Sequence, residues 1–169
     1  MSRIMFRFNK EKALEVLLYI AKEIPDFYCS LKTLYFADIY HLEKYGRFIC
    51  GDSYIAMRRG PVPSGTYDII KDVYLNRSDE FIKDFKIINY KIIPLREVKN
   101  EKLSLSDIEA LDHSIKENKT LSYIELMNKS HDASYEKSDQ NDFIDIEDIV
   151  KTLPDSDSLL NHLKDLFSI

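Results

Sequence analysis

"YIAMRRGPVPSGTYDIIKD", residues 54–72, sets two arginines, two glycines and two prolines in eight consecutive positions between apolar runs. The whole chain of 169 residues has only four glycines and five prolines, so this stretch concentrates its loosest and stiffest residues. Alternation in Tyr54–Met57 predicts a short strand, with Ile55 and Met57 on one face and Tyr54 and Ala56 on the other. The chain must then reverse into a helix over residues 59–65. Gly60 can take a backbone conformation closed to residues with a Cβ. Pro61 and Pro63 fix their own φ and drive Gly60 and Val62 toward extended geometry. Ser64 is a good N-cap for a helix carrying Tyr67, Ile70, Val73 and Tyr74 inward. The free N–H groups at that helix start could receive an anion or a carboxylate, with Arg58 and Arg59 close in sequence. Spacing alone favours a rigid strand-to-helix connector whose arginines pair with nearby acids over a binding site.

Upstream, residues 9–24 read as an amphipathic helix. Asn9 is its N-cap, Ala13, Leu14, Leu17, Leu18, Ala21 and Ile24 recur at helical spacing, and Pro25 ends it. Ser30 can cap a second helix, "LKTLYFADIYHLEKY". Its apolar residues cover much of the circumference, which marks a central helix, and Gly46 supplies a left-handed C-terminal stop. Downstream, "DFKIINYKIIPL" (84–95) reads as one long strand or a hairpin folded near Asn89. It is expected to pair with the 53–58 strand in one small antiparallel sheet. Helix resumes at Ser106 with the capping box "SDIE", and again at Ser122 with "SYIE". "SHDASYEKS" reads as a turn or short helix, and "IDIEDIVKTL" fits either helix or strand. A last helix, "DSDSLLNHLKDLF", places Leu159, Leu160, Leu163, Leu166 and Phe167 on one face. The polar run 136–142 is expected to be a flexible loop. The expectation is an α+β fold, a mainly α-helical single domain of residues 1–169 with a small antiparallel β-sheet.

Hydrophobic residues make up 44% and charged residues 31%, a globular and not a disordered composition. Tryptophan is absent, so eleven tyrosines and nine phenylalanines must supply the large core or contact surfaces. Net charge is −5. Residues 132–157 carry nine acids against Lys137 and Lys151, a local charge of −7 that leaves +2 for the rest. Such a balance argues against tight nucleic-acid binding by the protein alone. The acidic stretch reads first as a solvated surface, and second as a face for a basic partner. Cys29 and Cys50 form no CxxC and fit a reduced, cytoplasmic setting. The N-terminal stretch lacks the apolar region of a signal peptide, and no apolar run approaches the ~18 residues that span a bilayer.

Catalytic patterns are scarce. There is no Walker loop, GxGxxG, GxSxG or HExxH. Asp38 and His41, at i, i+3, can share a helix face, but such pairs are more often a local hydrogen bond than half a catalytic pair. His131–Asp132 are sequence neighbours whose side chains usually diverge. His113 and His162 lack a second metal ligand at matched spacing. Cys29 has no nucleophile signature around it.

"LKTLYFADIYHLEKYGRFICGDSYIAMRRGPVPSGTYDIIK" (31–71) resembles the Panacea domain, the SocA-like or GepA-like family often encoded on phages and mobile elements. The matching series runs from Lys32 and Leu34–Asp38 through His41–Leu42, Tyr45–Gly46 and Gly51–Asp52. It continues through Ala56–Met57 and Gly60–Ser64 to Tyr67–Asp68. The match is closest over residues 10–75 and looser to "ELMNKSHDASYEK", where Tyr135 stands in place of a family tryptophan. The resemblance implies an antitoxin that neutralises a small protein toxin, encoded nearby, by direct binding, with no enzymatic step, metal or cofactor. It marks Asp38, His41, Met57, Arg58, Arg59, Gly60, Pro61, Val62, Pro63, Ser64 and Tyr67 as a corner bordering the interaction face. The corner itself reads chiefly as an architectural clamp. Partner choice is expected on variable surfaces, including the acidic C-terminal third, 132–169. Rival readings are a winged-helix-like DNA-binding regulator, which the charge disfavours, and an adaptor delivering a bound protein to a protease.

Overall fold

Asn9 caps the first helix as expected: its side chain accepts the Lys12 N–H at 3.0 Å and α1 runs Lys10–Ala21. Residues 3–167 are described in the computed structural model; residues 1–2 and 168–169, the ends of the expected domain, lie outside the described residues. Helix α2 spans Phe27–Tyr45 and begins four residues before the expected start at Leu31. Pro25 stops α1, and Asp26 caps α2 at once by accepting the Cys29 N–H. Ser30 is therefore buried in the first turn, where its hydroxyl donates to the Ile24 carbonyl. Gly46, at φ +76°, closes α2 in the left-handed conformation. Helix α2 is the central element, packed against α1 and against the later helices α4 (Leu105–Asn118) and α5 (Tyr123–Ser130).

Strand β1, Tyr54–Met57, alternates in burial as predicted, with Tyr54 and Ala56 inside. Residues 60–63 are not a connector. They form β2, Gly60–Pro63, antiparallel to β1 across the two-residue turn Arg58–Arg59. Two prolines are tolerable there because β2 has a single strand neighbour and needs few ladder donors. The outer edge of β1 is covered by the run expected to be a loose loop. Ala56 donates to the Asp142 carbonyl, Asn141 donates to that of Ala56, and Ile144 donates to that of Tyr54, at 2.7–2.9 Å.

Helix α3, Ser64–Tyr74, follows directly, but Ser64 does not cap it. The cap is Asp52, from the segment before β1. Its carboxylate accepts the Gly65 and Thr66 N–H groups and the Thr66 hydroxyl at 2.7–2.8 Å, and the Ser53 N–H as well. The expected carboxylate at this helix start is thus the chain's own. The buried stripe of α3 runs through Thr66, Ile69 and Ile70. Tyr74 lies about 90° from the centre of that stripe and is exposed, contrary to expectation.

Segment 84–95 is the hairpin alternative: β3 (Phe85–Ile88) and β4 (Lys91–Pro94), turned at Asn89 and Tyr90, both at positive φ. It does not join β1. Two separate two-stranded sheets replace the single expected one, because β4 is engaged at the α1–α2 junction. There Ile92 donates to the Pro25 carbonyl and Phe27 donates to that of Tyr90.

A 3-10 turn, Asn100–Lys102, leads to α4, which is capped by Ser104 and Asp107 and not by Ser106. The Ser106 hydroxyl is engaged by His41 instead. Helix α5 carries the expected Ser122–Glu125 box. Helices α6 (Ala133–Lys137), α7 (Ile146–Val150) and α8 (Ser156–Leu166) follow. On α8 only Leu163 is fully buried, and Leu166 and Phe167 are exposed, so its apolar face is narrower than predicted. Two apolar clusters meet at α2. One gathers Leu17, Leu34, Phe85, Ile92 and Leu111; the other gathers Tyr35, Leu42, Tyr54, Ile149 and Leu163. The fold is α+β and mainly helical, and no helix among the described residues is long and apolar enough to cross a membrane.

The cap assignment separates two substitutions. Asp52→Ala strands four donors, two of them helix N–H groups, and is expected to cost about 2–4 kcal/mol. Ser64→Ala is expected to change stability by less than about 0.5 kcal/mol. Urea unfolding of both variants checks this; equal losses would return the cap to Ser64.

Candidate functional site

The β1–β2 turn is held from beneath by three helices. Lys32, on α2, is 3% exposed, and its ammonium donates to the Pro61 carbonyl at 2.8 Å. Burial lowers its pKa to about 8. No carboxylate among the described residues pairs with it. From α6, the Tyr135 hydroxyl donates to the Met57 carbonyl at 2.6 Å, with His131 stacked on its ring. From α5, Ser130 lies under Gly60. Gly60 sits at φ +112°, and a Cβ there would stand 2.6 Å from the Ser130 hydroxyl oxygen and 3.1 Å from Lys32 Nζ. The position demands glycine twice over, by backbone conformation and by space.

Asp38 and His41 share α2 but do not bond to each other. Asp38 is fully buried; one carboxyl oxygen accepts the Ile49 N–H at 2.7 Å and the other the Tyr54 hydroxyl at 2.6 Å. Burial raises its pKa to about 7, opposed by those two bonds and reinforced by Asp52 and Asp107. His41 is also fully buried. Its Nδ1 meets the Arg47 carbonyl at 2.8 Å and its Nε2 the Ser106 hydroxyl at 2.9 Å. Burial lowers its pKa, so it is a neutral imidazole, and Asp107 at 3.6 Å is not an ion-pair partner. Asp107 instead pairs with Lys12 and Arg47.

The eleven residues marked in the sequence therefore divide by depth. Asp38, His41, Gly60, Pro61 and Pro63 are buried. Met57, Val62, Ser64 and Tyr67 come together with Ile55 and Lys71 along a groove of about 290 Å³ between the hairpin and α3. Lys71 Nζ lies 4.7 Å over the Tyr67 ring. Arg58 and Arg59 project from the turn. The expected ion pairs are absent: neither arginine has a carboxylate partner among the described residues, since the local acids are engaged elsewhere.

Of the other candidates, Cys29 and His113 are held by local contacts. Burial pushes the Cys29 thiol up to about 12, which removes thiolate character at neutral pH. His113 stacks on Tyr40 and faces Glu117. Among the described residues no group of three His, Cys, Asp or Glu side chains is placed to hold a metal ion. Spacing did not reveal the roles of Lys32, Asp52, Tyr135 and Tyr35, whose hydroxyl donates to the Asp132 carboxylate; their partners are 14 to 97 positions away. Their signal lies in residue type: buried polar groups in an apolar helix or beside a corner must find partners.

The family model for the antitoxin SocA-like Panacea domain matches residues 31–136, more than half of the chain. The chain belongs to that family. No curated protein and no solved structure matches it.

Two measurements probe the corner. Gly60→Val is expected to cost at least about 2–3 kcal/mol, and Arg59→Ala less than about 0.5 kcal/mol. Thermal melts of the pair test this, and a wild-type melt for Gly60→Val would remove the constraint. Asp38 sets a pH signature. Its ordinary value of 3.8 rises to about 7 on folding, so the folded chain holds a proton that the unfolded chain releases. Its contribution to stability is present below pH 4 and is lost as pH rises from about 4 to 7. Asp38→Asn mimics the protonated carboxyl, with its amide donating to the Tyr54 oxygen. Relative to wild type its stability should improve by roughly 2–4 kcal/mol across that window. A difference independent of pH would show that Asp38 is ionised in the fold.

Proposed function

We propose that this SocA-like Panacea protein is an antitoxin that neutralises a protein toxin, encoded nearby, by stoichiometric binding, and that it catalyses no step. One observation carries the reading. The motif side chains that could do chemistry, Lys32, Asp38, His41 and Asp52, are each at most 3% exposed and are bonded within the chain. A general acid, base or nucleophile must reach the reacting atoms. These groups instead build a rigid corner, and what remains for a partner is surface.

That surface has two characters. The hairpin and α3 present half-buried apolar and aromatic side chains around a groove. The acidic segment 132–157 lies on α6 and α7 and in the loops around them. A charge of that sign steers a basic partner and affects association rate more than final affinity. Free Cys29 and Cys50 suit a reducing cytoplasm.

Titration of toxin activity with purified antitoxin tests the mechanism. Protection should rise linearly and saturate at a small whole-number ratio, and toxicity should return when the antitoxin is stripped away. Full protection far below one antitoxin per toxin, persisting after its removal, would mean covalent modification and would end the binding-only reading.

A further inference from the structure

Four part-exposed tyrosines form a connected set of rings beside buried Phe27. Tyr28, Tyr74 and Tyr90 each lie 4.3–5.9 Å from the Phe27 ring. Tyr90 is also 5.8 Å from Tyr74, and Tyr28 is 5.8 Å from Tyr123. The rings come from four places in the sequence: the start of α2, the end of α3, the β3–β4 turn and the start of α5. Tyr74 and Tyr90 are 46% and 50% exposed, too wet to be explained as core. Tyr90 sits at φ +61° in its two-residue turn, a position that ordinarily takes glycine. A bulky aromatic residue is strained there, so the turn keeps a ring at a position where glycine would relieve the backbone.

Charge says what the face is suited to meet. Arg59 stands against Tyr123 and near Tyr28. It is exposed and has no carboxylate partner among the described residues. The acids of the surrounding elements are engaged: Asp26 caps α2, Asp68 pairs with Lys71 and Asp72 pairs with Arg77. A chain of net charge −5 thus keeps a guanidinium without a carboxylate partner beside these tyrosines. Tyrosine and arginine are the residue types that dominate protein-binding hot spots.

We propose that the toxin docks on this tyrosine face, through a surface segment that sets a carboxylate on Arg59 and apolar side chains across Tyr74, Tyr90 and Tyr123. The proposal rests on the binding reading above and adds the site and the chemistry of the contacting segment. An acidic protein segment suits the face better than a nucleic acid, because one or two arginines on an acidic chain neutralise few phosphates. It complements the acidic segment, which would attract a basic region elsewhere on the same partner.

The test uses the full chain and the product of the adjacent reading frame, co-expressed, purified and titrated against each other. Arg59→Glu removes the charge match, and Tyr90→Asn removes a ring while keeping a residue that tolerates positive φ. Each should weaken binding about tenfold or more with an unchanged melt, and Arg59→Lys should weaken it less. Lys164→Glu on α8 should bind as wild type does. If wild type binds and both face variants bind within roughly twofold of it, the face is wrong and the binding reading stands. If wild type forms no complex, or protects far below one per toxin, the binding reading falls and this proposal falls with it. Should Tyr90→Asn melt early, Arg59→Glu decides, since Arg59 bears on no internal ion pair. A wild-type dimer dissolved by Tyr90→Asn, with toxin affinity unchanged, would assign the face to a second copy. Single-stranded oligonucleotide binding lost in both variants, again with toxin affinity unchanged, would assign it to nucleic acid. Either result overturns the proposal.

Discussion

A carboxyl group with no access to water must be neutralised or fully bonded, and Asp38 is both bonded and pushed toward protonation. It ties the middle of α2 to the backbone at Ile49 and to the Tyr54 ring at the start of β1. Everything near the corner follows from where that tie places β1. Once Tyr54 is anchored, the chain between must turn past Asp52, whose carboxylate is then in place to cap α3. The hairpin lies flat on α2, and Lys32 reaches the Pro61 carbonyl from below. These polar bonds are few, but each sits where water cannot substitute for it. Removing one partner leaves the other stranded, which costs more than the bond itself contributes.

These bonds separate a buried part of the motif from the surface around it. Lys32, Asp38, His41 and Asp52 are buried and bonded within the chain, and on the reading proposed above they specify shape and not a partner. The outward positions next to them, Met57, Arg58, Arg59, Val62 and Tyr67, are free of structural duty to different degrees. Beyond them the tyrosines of four distant segments converge because α2, α3, α5 and the second hairpin pack around Phe27. The fold thus brings together an aromatic surface that no local stretch of sequence contains.

Much of the helical framework was legible because its signals are local. Asn9, Gly46 and the Ser122–Glu125 box act within four residues of themselves, and each does what its type and spacing predict. The departures share a cause: a distant group won a competition. Ser30 lost the cap of α2 to Asp26, and Ser106 lost that of α4 to Ser104 and bonds His41 instead. Ser64 lost the cap of α3 to Asp52, twelve positions away. The GPVP run reads as a connector because prolines disfavour strands, yet β2 needs only one neighbour and takes them. The 84–95 segment was readable as a hairpin, but its isolation from β1 depends on hydrogen bonds to Pro25 and Phe27. Of the candidate site, glycine at 60 was legible from the corner itself. The burial of Asp38 and His41 was not, since a helical period cannot say which polar residue faces inward on a helix whose apolar residues cover much of its circumference.

The central claim is that the motif shapes the protein and the surface around it recognises the partner. Saturation mutagenesis scored twice, once for folded abundance in cells and once for protection from the toxin, tests it most directly. At Lys32, Asp38, His41, Asp52 and Gly60, loss of protection should track loss of abundance in proportion, with no variant abundant yet unprotective. Substitutions of that second kind should concentrate on exposed positions. A set of Asp38 or His41 variants at wild-type abundance that fail to protect would contradict the account and give those buried groups a direct part in function.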